Sequence, residues 1–171
     1  LNFDANSNPY YQVVENCVFE ENTCNDTAVL YYVCGTGCYV SGNVFKTNTV
    51  SSTGNAATVY MGFTENHTIT NNIFNTNNVT TTHPTTKRAT GGLMIGYAAT
   101  ITGNTFVGNT ITAEGRSLGN DVCASVYYTD IDLSGNYWGG GAPVEGDDYY
   151  KEYSNHEVII NNYLTVNPFN N

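Results

Sequence analysis

The fold is decided by the stretch Ile101-Thr102-Gly103-Asn104-Thr105-Phe106-Val107-Gly108-Asn109, because the chain contains five versions of it. The other versions occupy residues 14–22, 40–48, 69–77 and 133–138. Their first aliphatic residues are separated by 26, 29, 32 and 32 positions. A sequence motif repeated at this period is typical of stacked structural units, each of which buries its apolar face against its neighbours. The sequence therefore predicts a solenoid.

The segments between the repeats indicate strands rather than helices. Short apolar runs rich in aromatic and β-branched residues occur at 28–34, 57–63, 92–97, 124–128 and 158–164. No window places apolar residues at the 3.6-residue spacing of a helix. We therefore predict an all-β, single-stranded parallel β-helix of about five to six coils. Residues 1–171 form one domain in this interpretation, with a lead-in at 1–12, repeat coils at 13–138, and a C-terminal excursion with a final strand at 139–171.

In-register stacking would align like residues in columns, about 4.8 Å apart as in any β-ladder. One predicted column is an asparagine ladder, in which each side-chain amide donates to one neighbour and accepts from the other. Its members are Asn43, Asn72, Asn104 and Asn136, with Cys17 in the first position. Asn22, Asn48, Asn77 and Asn109 form a second such column, and Phe19, Phe45, Phe74, Phe106 and Trp138 form an aromatic one. Gly42, Gly103 and Gly135, together with Asn16 and Asn71, suit a tight corner.

Composition narrows the function classes. The chain carries 15 acidic and 5 basic residues, for a formal net charge of −10. This balance argues against nucleic acid and anionic lipid surfaces, which both attract basic proteins. There is no apolar run of about 18 residues, so we expect no membrane insertion of this segment. The abundance of Asn and Thr, 25 and 24 residues, suits strands punctuated by turns.

Five cysteines favour an oxidising, extracellular location, either secreted or at the cell surface. Cys17, Cys24, Cys34 and Cys38 lie close together in the sequence and are the disulfide candidates, while Cys123 stands apart. Their spacing is a poor match to a zinc site. Three triplets fit the N-glycosylation pattern, with Asn25, Asn66 and Asn78 as the acceptor residues.

The coil length, the corner asparagine and the aromatic two residues later resemble the right-handed parallel β-helix family with the pectate-lyase-like fold. The last repeat, Leu133-Ser134-Gly135-Asn136-Tyr137-Trp138-Gly139, looks like the ending common in microbial adhesin-like surface proteins. The resemblance covers residues 13–169 and implies a right-handed coil. It does not fix a function, because this fold hosts lyases, hydrolases, phage spikes and non-catalytic adhesins.

The sequence offers no assembled catalytic site. A lyase of this type needs a basic residue beside an acidic calcium cluster, and the five basic residues have no such neighbours in the sequence. Asp130 and Asp132 would share one face of a strand, as hydrolase carboxylates do, but exposed surface acids are the alternative. We predict no catalytic residues, no metal ligands and no cofactor. One alternative stays open, which is calcium held by Glu145, Asp147 and Asp148 with nearby Glu152.

The tyrosines are in excess, with 14 in the chain. In paired tyrosines within a strand, one ring faces the core and the other faces outward. Outward rings suit sugar rings, which present apolar C–H faces, so Tyr31, Tyr32, Tyr127 and Tyr128 are the candidate binding residues. Ordinary packing between neighbouring strands is the alternative interpretation.

These observations predict a non-catalytic, adhesin-like extracellular module that binds glycans or protein partners through its sides. The first alternative is a structural or self-assembling subunit, and the second is a polysaccharide lyase or glycoside hydrolase. Only twelve polar residues precede the first coil, so we also expect self-association through the N-terminal coil. Alternatively, the chain could form the C-terminal part of a longer β-helix.

Overall fold

A computed structural model describes residues 1–3, 12–32, 37–62, 65–85, 88–114 and 118–170. Within these ranges the chain contains twenty short strands and no helix. Every pair of neighbouring strands is parallel, and the strands stack into a β-solenoid of about five turns. The predicted all-β parallel solenoid is confirmed.

Four sheets form the walls of the solenoid. Sheet I contains β1 (Asn2–Phe3), β5 (Ala28–Tyr32), β9 (Ala57–Met61), β13 (Leu93–Ile95), β17 (Val122–Ala124) and β19 (Tyr149–Lys151). Sheet II contains β2 (Val13–Glu15), β6 (Tyr39–Ser41), β10 (His67–Thr70) and β14 (Ala99–Thr102). The chain therefore returns to the same wall once in every turn.

The repeated motif contains the C-terminal residues of each sheet II strand and all of each sheet III strand. Sheet III contains β3 (Val18–Glu20), β7 (Val44–Lys46), β11 (Ile73–Asn75) and β15 (Thr105–Val107). Sheet IV contains β4 (Thr23–Cys24), β8 (Thr49–Ser52), β12 (Asn78–Thr81) and β16 (Thr110–Ala113). A further pair joins β18 (Ile131–Asp132) to β20 (Val158–Ile159).

Within each sheet, equivalent positions of successive repeats pair with each other. Ile69 pairs with Ile101 in sheet II, and Phe74 pairs with Phe106 in sheet III. Because the strands are parallel and unshifted, each repeat position lies directly above its counterpart. The period therefore varies from 26 to 32 residues only because the connecting segments outside the repeated motif differ in length.

Both asparagine ladders form as predicted. In the first, Nδ2 of Asn72 donates to Oδ1 of Asn104 at 3.0 Å and to the carbonyl oxygen of Val40 at 2.9 Å. Oδ1 of Asn104 also accepts from the backbone N–H of Asn72 at 3.0 Å. The second ladder repeats this pattern from Asn48 to Asn77 and Asn109. These amides are buried, so the ladders satisfy polar groups that water cannot reach.

The aromatic column is also confirmed. Neighbouring rings stack with centroids 4.8–5.1 Å apart, in the order Phe19, Phe45, Phe74, Phe106 and Trp138. The column belongs to one continuous apolar core that includes the inward residues of sheets I and II. Trp138 closes the column at the C-terminal end, where Tyr137 bridges β15 and Leu164.

Two corner columns adopt left-handed backbone conformations, of which only one follows from the sequence. The predicted corner has positive φ at all five positions, from Asn16 (52°) to Gly135 (74°). A Cβ atom on Gly103 would collide with Oδ1 of Asn71 in the adjacent turn, and one on Gly42 would collide with Oδ1 of Asn16. Each asparagine of the column is therefore followed in the next turn by a glycine that leaves space for it. The second corner holds Thr47 and Thr76 at φ 56° and 55°, a conformation that β-branched residues rarely adopt.

The predicted disulfides do not form among the described residues. Cys17 is exposed, Cys24 is half-buried and Cys38 is buried, and all three carry free thiols. The register explains this, because Cys17 replaces an asparagine at a corner and Cys24 lies in β4, on a different wall. Cys34 lies outside the described residues. No helix in the described part of the chain is both long and apolar enough to span a membrane.

Candidate binding groove

The tyrosine pairs divide between the core and the surface. Tyr32 is fully buried in the main core, so it cannot contribute to an outer binding face, and its place among the candidate residues was wrong. The alternation of side chains along β5 is the reason, since Leu30 and Tyr32 point inward together. Tyr31 faces the other way and packs against Tyr60 with ring centroids 5.2 Å apart.

Tyr127 and Tyr128 lie on a groove at the carboxyl ends of the sheet I strands. Both are exposed, at 45% and 61%. The groove encloses about 360 Å³ and is lined by Tyr60, Gly62, Arg88, Met94, Gly96, Tyr97, Ser125, Tyr127, Tyr128 and Tyr153. Apart from Arg88, which precedes β13, these residues lie within or just after β9, β13, β17 and β19. The groove therefore runs along the solenoid axis across four rungs, about 14 Å at the usual strand spacing.

The groove tyrosines hold one another in place. Tyr97 and Tyr128 stack with centroids 5.0 Å apart and planes 14° from parallel. Tyr127 meets Tyr128 and Tyr153 edge to face, at 4.6 Å and 5.1 Å. Offset stacks and edge-to-face pairs are the favourable arrangements of aromatic rings. The groove therefore presents a preformed aromatic surface that needs little ordering when a ligand arrives.

Arg88 forms the polar side of the groove. Its Nε donates to both carboxylate oxygens of Glu152, at 3.1 Å and 2.9 Å, and its Nη2 donates to the hydroxyl of Tyr153 at 3.1 Å. The guanidinium carbon also lies 5.9 Å from the centre of the Tyr153 ring. Glu152 is almost fully buried, with 6% of its side chain exposed. A charge-assisted pair of this kind fixes both side chains.

The pKa values of three groove residues, Arg88, Tyr60 and Tyr97, are raised by their surroundings. Burial opposes the charge on Arg88, but the hydrogen bond to Tyr153 and the attraction of Glu152 outweigh it and raise the pKa of Arg88. Burial raises the pKa of Tyr60, with a smaller opposing effect of Arg88. Burial and the neighbouring Tyr128 raise the pKa of Tyr97. The hydroxyls of Tyr60 and Tyr97 are therefore neutral donors and acceptors at neutral pH.

A close approach on the floor of the groove depends on glycine. A Cβ atom on Gly62 would lie 2.6 Å from Cε1 of Tyr60, a distance that real Cβ atoms do not adopt. Gly62 therefore leaves the space in which the buried Tyr60 ring lies flat against the end of β9. The sequence places this glycine directly after a strand, but only the structure shows the ring that requires it.

Each aspartate among the acidic candidates accepts a hydrogen bond from its own donor. Asp130 accepts from the backbone N–H of Glu157, and Asp132 accepts from that of Ser134. Asp147 accepts from Nδ2 of Asn120, and Asp148 accepts from the backbone N–H of Val144. The described residues contain no cluster of three or more His, Cys, Asp or Glu side chains that could bind a metal ion. Calcium binding near Glu145 stays an untested prediction.

The three glycosylation candidates lie at the surface. Asn25 and Asn66 occupy turns, Asn78 begins β12, and all three are exposed. His67, which follows Asn66, is instead buried, and its Nδ1 accepts from the backbone N–H of Cys38 at 3.3 Å. Attachment of glycans at these positions stays a prediction.

Of the ten described residues that line the groove, the sequence identified only Tyr127 and Tyr128 as binding candidates. Arg88 comes from the connector before β13, Tyr97 from the turn after it, and Tyr153 from the segment after β19. Tyr97 and Tyr153 are single tyrosines, so a search for paired tyrosines passes over them. The available signal was positional, since Tyr97 and Tyr128 are each the last residue of the apolar run of their own turn.

The fold and the groove define the class of protein, which is a parallel β-solenoid with a tyrosine-lined groove along one corner. Comparison with protein-family models, curated proteins and solved structures yields no match for this chain.

Proposed function

We propose that this chain is an extracellular, non-catalytic module that binds a glycan in the groove formed by Tyr97, Tyr127, Tyr128 and Tyr153. The observation that carries the proposal is the preformed cluster of partly exposed rings beside a fixed arginine. The groove is a concave, mainly aromatic site with a few placed polar groups, as ligand sites usually are. Membership of the right-handed pectate-lyase-like family, and an adhesin-like role within it, form part of the same proposal.

A glycan fits this combination because a sugar ring has both apolar and polar surfaces. Its C–H faces can lie on exposed rings such as Tyr128, which is 61% exposed. Its hydroxyls can bond to the tyrosine hydroxyls at the rim, since aromatic side chains with a polar tip offer contact area at low entropic cost. The length of the groove along four rungs suits a short oligosaccharide rather than a single sugar.

Catalysis is less favoured, because glycoside hydrolysis needs two carboxyl groups facing one bond. No carboxylate is among the described residues that line the groove, and the Glu152 side chain behind it is buried and held by Arg88 at 2.9 Å. A single carboxylate whose two oxygens are bonded to Arg88 does not supply the required pair.

Tyr128→Ala is expected to weaken binding of the recognised oligosaccharide by about tenfold to a hundredfold, since it removes the most exposed ring of the groove and the stacking partner of Tyr97. A glycan array identifies the oligosaccharide, and isothermal titration then measures the dissociation constants. Tyr128→Phe retains the ring and should lose much less affinity.

Tyr163→Ala is the matched control, because Tyr163 is a partly exposed tyrosine that does not line the groove. Its affinity should equal that of the unmodified chain. Equal affinities for Tyr128→Ala and Tyr163→Ala would place glycan binding elsewhere, and an array without any bound glycan would refute the proposal.

Self-assembly is a second candidate function, and a different observation favours it. The strands β2, β3 and β4 are each the last strand of their sheets in the described part of the chain. Val13 and Val18 on this end are 48% and 66% exposed. Open strand edges with apolar side chains recruit further strands, so a second copy could stack on this coil. Residues 4–11, which precede β2, lie outside the described residues.

This candidate predicts dimers or larger species whose fraction rises with concentration, measured by light scattering. Val18→Lys should shift the equilibrium toward the monomer, because a charge at an open edge disfavours pairing. Val166→Lys is the control, since Val166 is 72% exposed in the C-terminal segment. Monomers at every concentration would eliminate self-assembly.

A further inference from the structure

The positive charge of Arg88 at the groove is already balanced by the carboxylate of Glu152. Arg88 is the only charged residue among the described residues that line the groove. Both carboxylate oxygens of Glu152 accept from its Nε, so the pair is neutral as a unit. Glu65 adds a negative charge near Tyr97. The immediate surroundings are therefore neutral to slightly negative.

The rest of the chain acts in the same direction. The formal net charge is −10. Lys151, on the neighbouring strand β19, pairs with Glu157 at 2.6 Å. A summed negative field lowers the local concentration and the association rate of anions, and it does so most strongly at low salt.

We infer that the groove selects an uncharged glycan over one built from uronic acids. This inference rests on the proposed function and adds the chemical class of the ligand. A uronate chain would bring one carboxylate per residue to a site whose guanidinium is already occupied by Glu152. Such a carboxylate would lose water without gaining a free cation, which is a costly exchange.

A cationic ligand meets a different penalty, because one ring of the groove already contacts a cation. Tyrosine rings attract cations, but the Arg88 guanidinium carbon already lies 5.9 Å from the centre of the Tyr153 ring. That ring is therefore not open to a second cation. A neutral polyhydroxylated chain avoids both penalties, because its hydroxyls replace water on the tyrosine hydroxyls and its C–H faces cover the rings.

The test compares pairs of oligosaccharides that differ only in charge. The probes are hexasaccharides of glucose, galactose and mannose, each with the uronic acid hexasaccharide of the same sugar configuration. Titrations at low and at high salt measure binding to the full chain. We expect at least one neutral hexasaccharide to bind about tenfold or more tightly than its uronate partner, with the ratio falling as salt rises.

Glu152→Gln provides an independent variant, since it removes the balancing charge and leaves an amide that can still accept from Arg88. It should improve uronate binding relative to neutral binding, by about tenfold in the ratio of dissociation constants. An unchanged ratio in a folded variant would contradict the inference.

The outcomes separate the two claims. Preference for a neutral hexasaccharide, lost in Tyr128→Ala, supports both. A uronate that binds as tightly as its neutral partner, and depends on Tyr128, overturns the inference and leaves the proposed function standing. If no hexasaccharide binds, and the glycan array is also negative, the proposed function itself fails.

Discussion

Asn104→Ala is expected to lower the free energy of unfolding by about 3–5 kcal/mol, because one side chain serves three turns of the solenoid. Its Nδ2 donates to Oδ1 of Asn136 at 3.0 Å and to the carbonyl oxygen of Ile69 at 2.8 Å. Its Oδ1 accepts from the backbone and side-chain N–H groups of Asn72, both at 3.0 Å. The site is fully buried, so alanine would leave these partners without water to replace the lost bonds.

Urea denaturation followed by circular dichroism measures this loss. Asn161→Ala is the matched control, because Asn161 is exposed, and it should change the free energy of unfolding by less than about 0.5 kcal/mol. Asn104→Asp adds a sharper comparison. Aspartate keeps the acceptor but cannot donate to Ile69, so it should be destabilised near neutral pH as well. A melting temperature equal to that of the unmodified chain in Asn104→Ala would mean that the ladder carries no stability.

The fold could be predicted because parallel in-register stacking turns a one-dimensional repeat into a column of contacts. A residue such as Phe74 lies above its own counterpart Phe106, so the repeat period and the contact map carry the same information. The asparagine ladders follow from the same argument, since an amide is complementary to a second copy of itself.

The left-handed backbone of the second corner could not be predicted, because threonine rarely adopts that conformation. Thr47 and Thr76 hold left-handed conformations that cost about 1–3 kcal/mol each. The asparagine that follows each of them, such as Asn48 after Thr47, anchors the corner through ladder bonds. The stability of the ladder thus imposes a conformation that the local sequence disfavours.

The groove was only partly predictable for a related reason. Tyr127 and Tyr128 belong to one segment, but Tyr97 and Arg88 come from other turns of different connector length. Their meeting depends on how each connector folds after its strand, which the repeat does not specify. The disulfide prediction was wrong for the opposite reason. Cys17 and Cys24 are close in sequence, but the fold places Cys17 at a corner and Cys24 in β4 on a different wall of the solenoid.

Asp121 is the last member of the second ladder, where a further asparagine would otherwise be expected. It is 5% exposed, and its Oδ1 accepts from Nδ2 of Asn109 at 2.8 Å. Burial raises the pKa of Asp121 to about 7, and the nearby Asp148 and Asp147 add to the effect. The hydrogen bond from Asn109 opposes this shift but does not cancel it. Burial also raises the pKa of Asp148.

The direction of the pH dependence follows from this shift. Between about pH 4 and pH 7 the folded chain retains a proton on Asp121 that the unfolded chain has released. Its contribution to stability is therefore complete below about pH 4 and is lost as the pH rises through 7. We expect the free energy of unfolding to fall by about 2–4 kcal/mol over this range.

Asp121→Asn should abolish most of this fall, because an amide retains the acceptor for Asn109 and cannot ionise. The variant is expected to match the unmodified chain near pH 4 and to exceed its stability by about 2–4 kcal/mol near pH 8, with a smaller residual slope from Asp148. Urea titrations across that range measure the difference. Asp26→Asn, at an exposed turn, is the control for removing one negative charge from an acidic chain. If Asp121→Asn and Asp26→Asn lost stability in parallel with the unmodified chain, Asp121 would be ionised in its buried site without cost, and the ladder would end in a charge rather than a neutral acid.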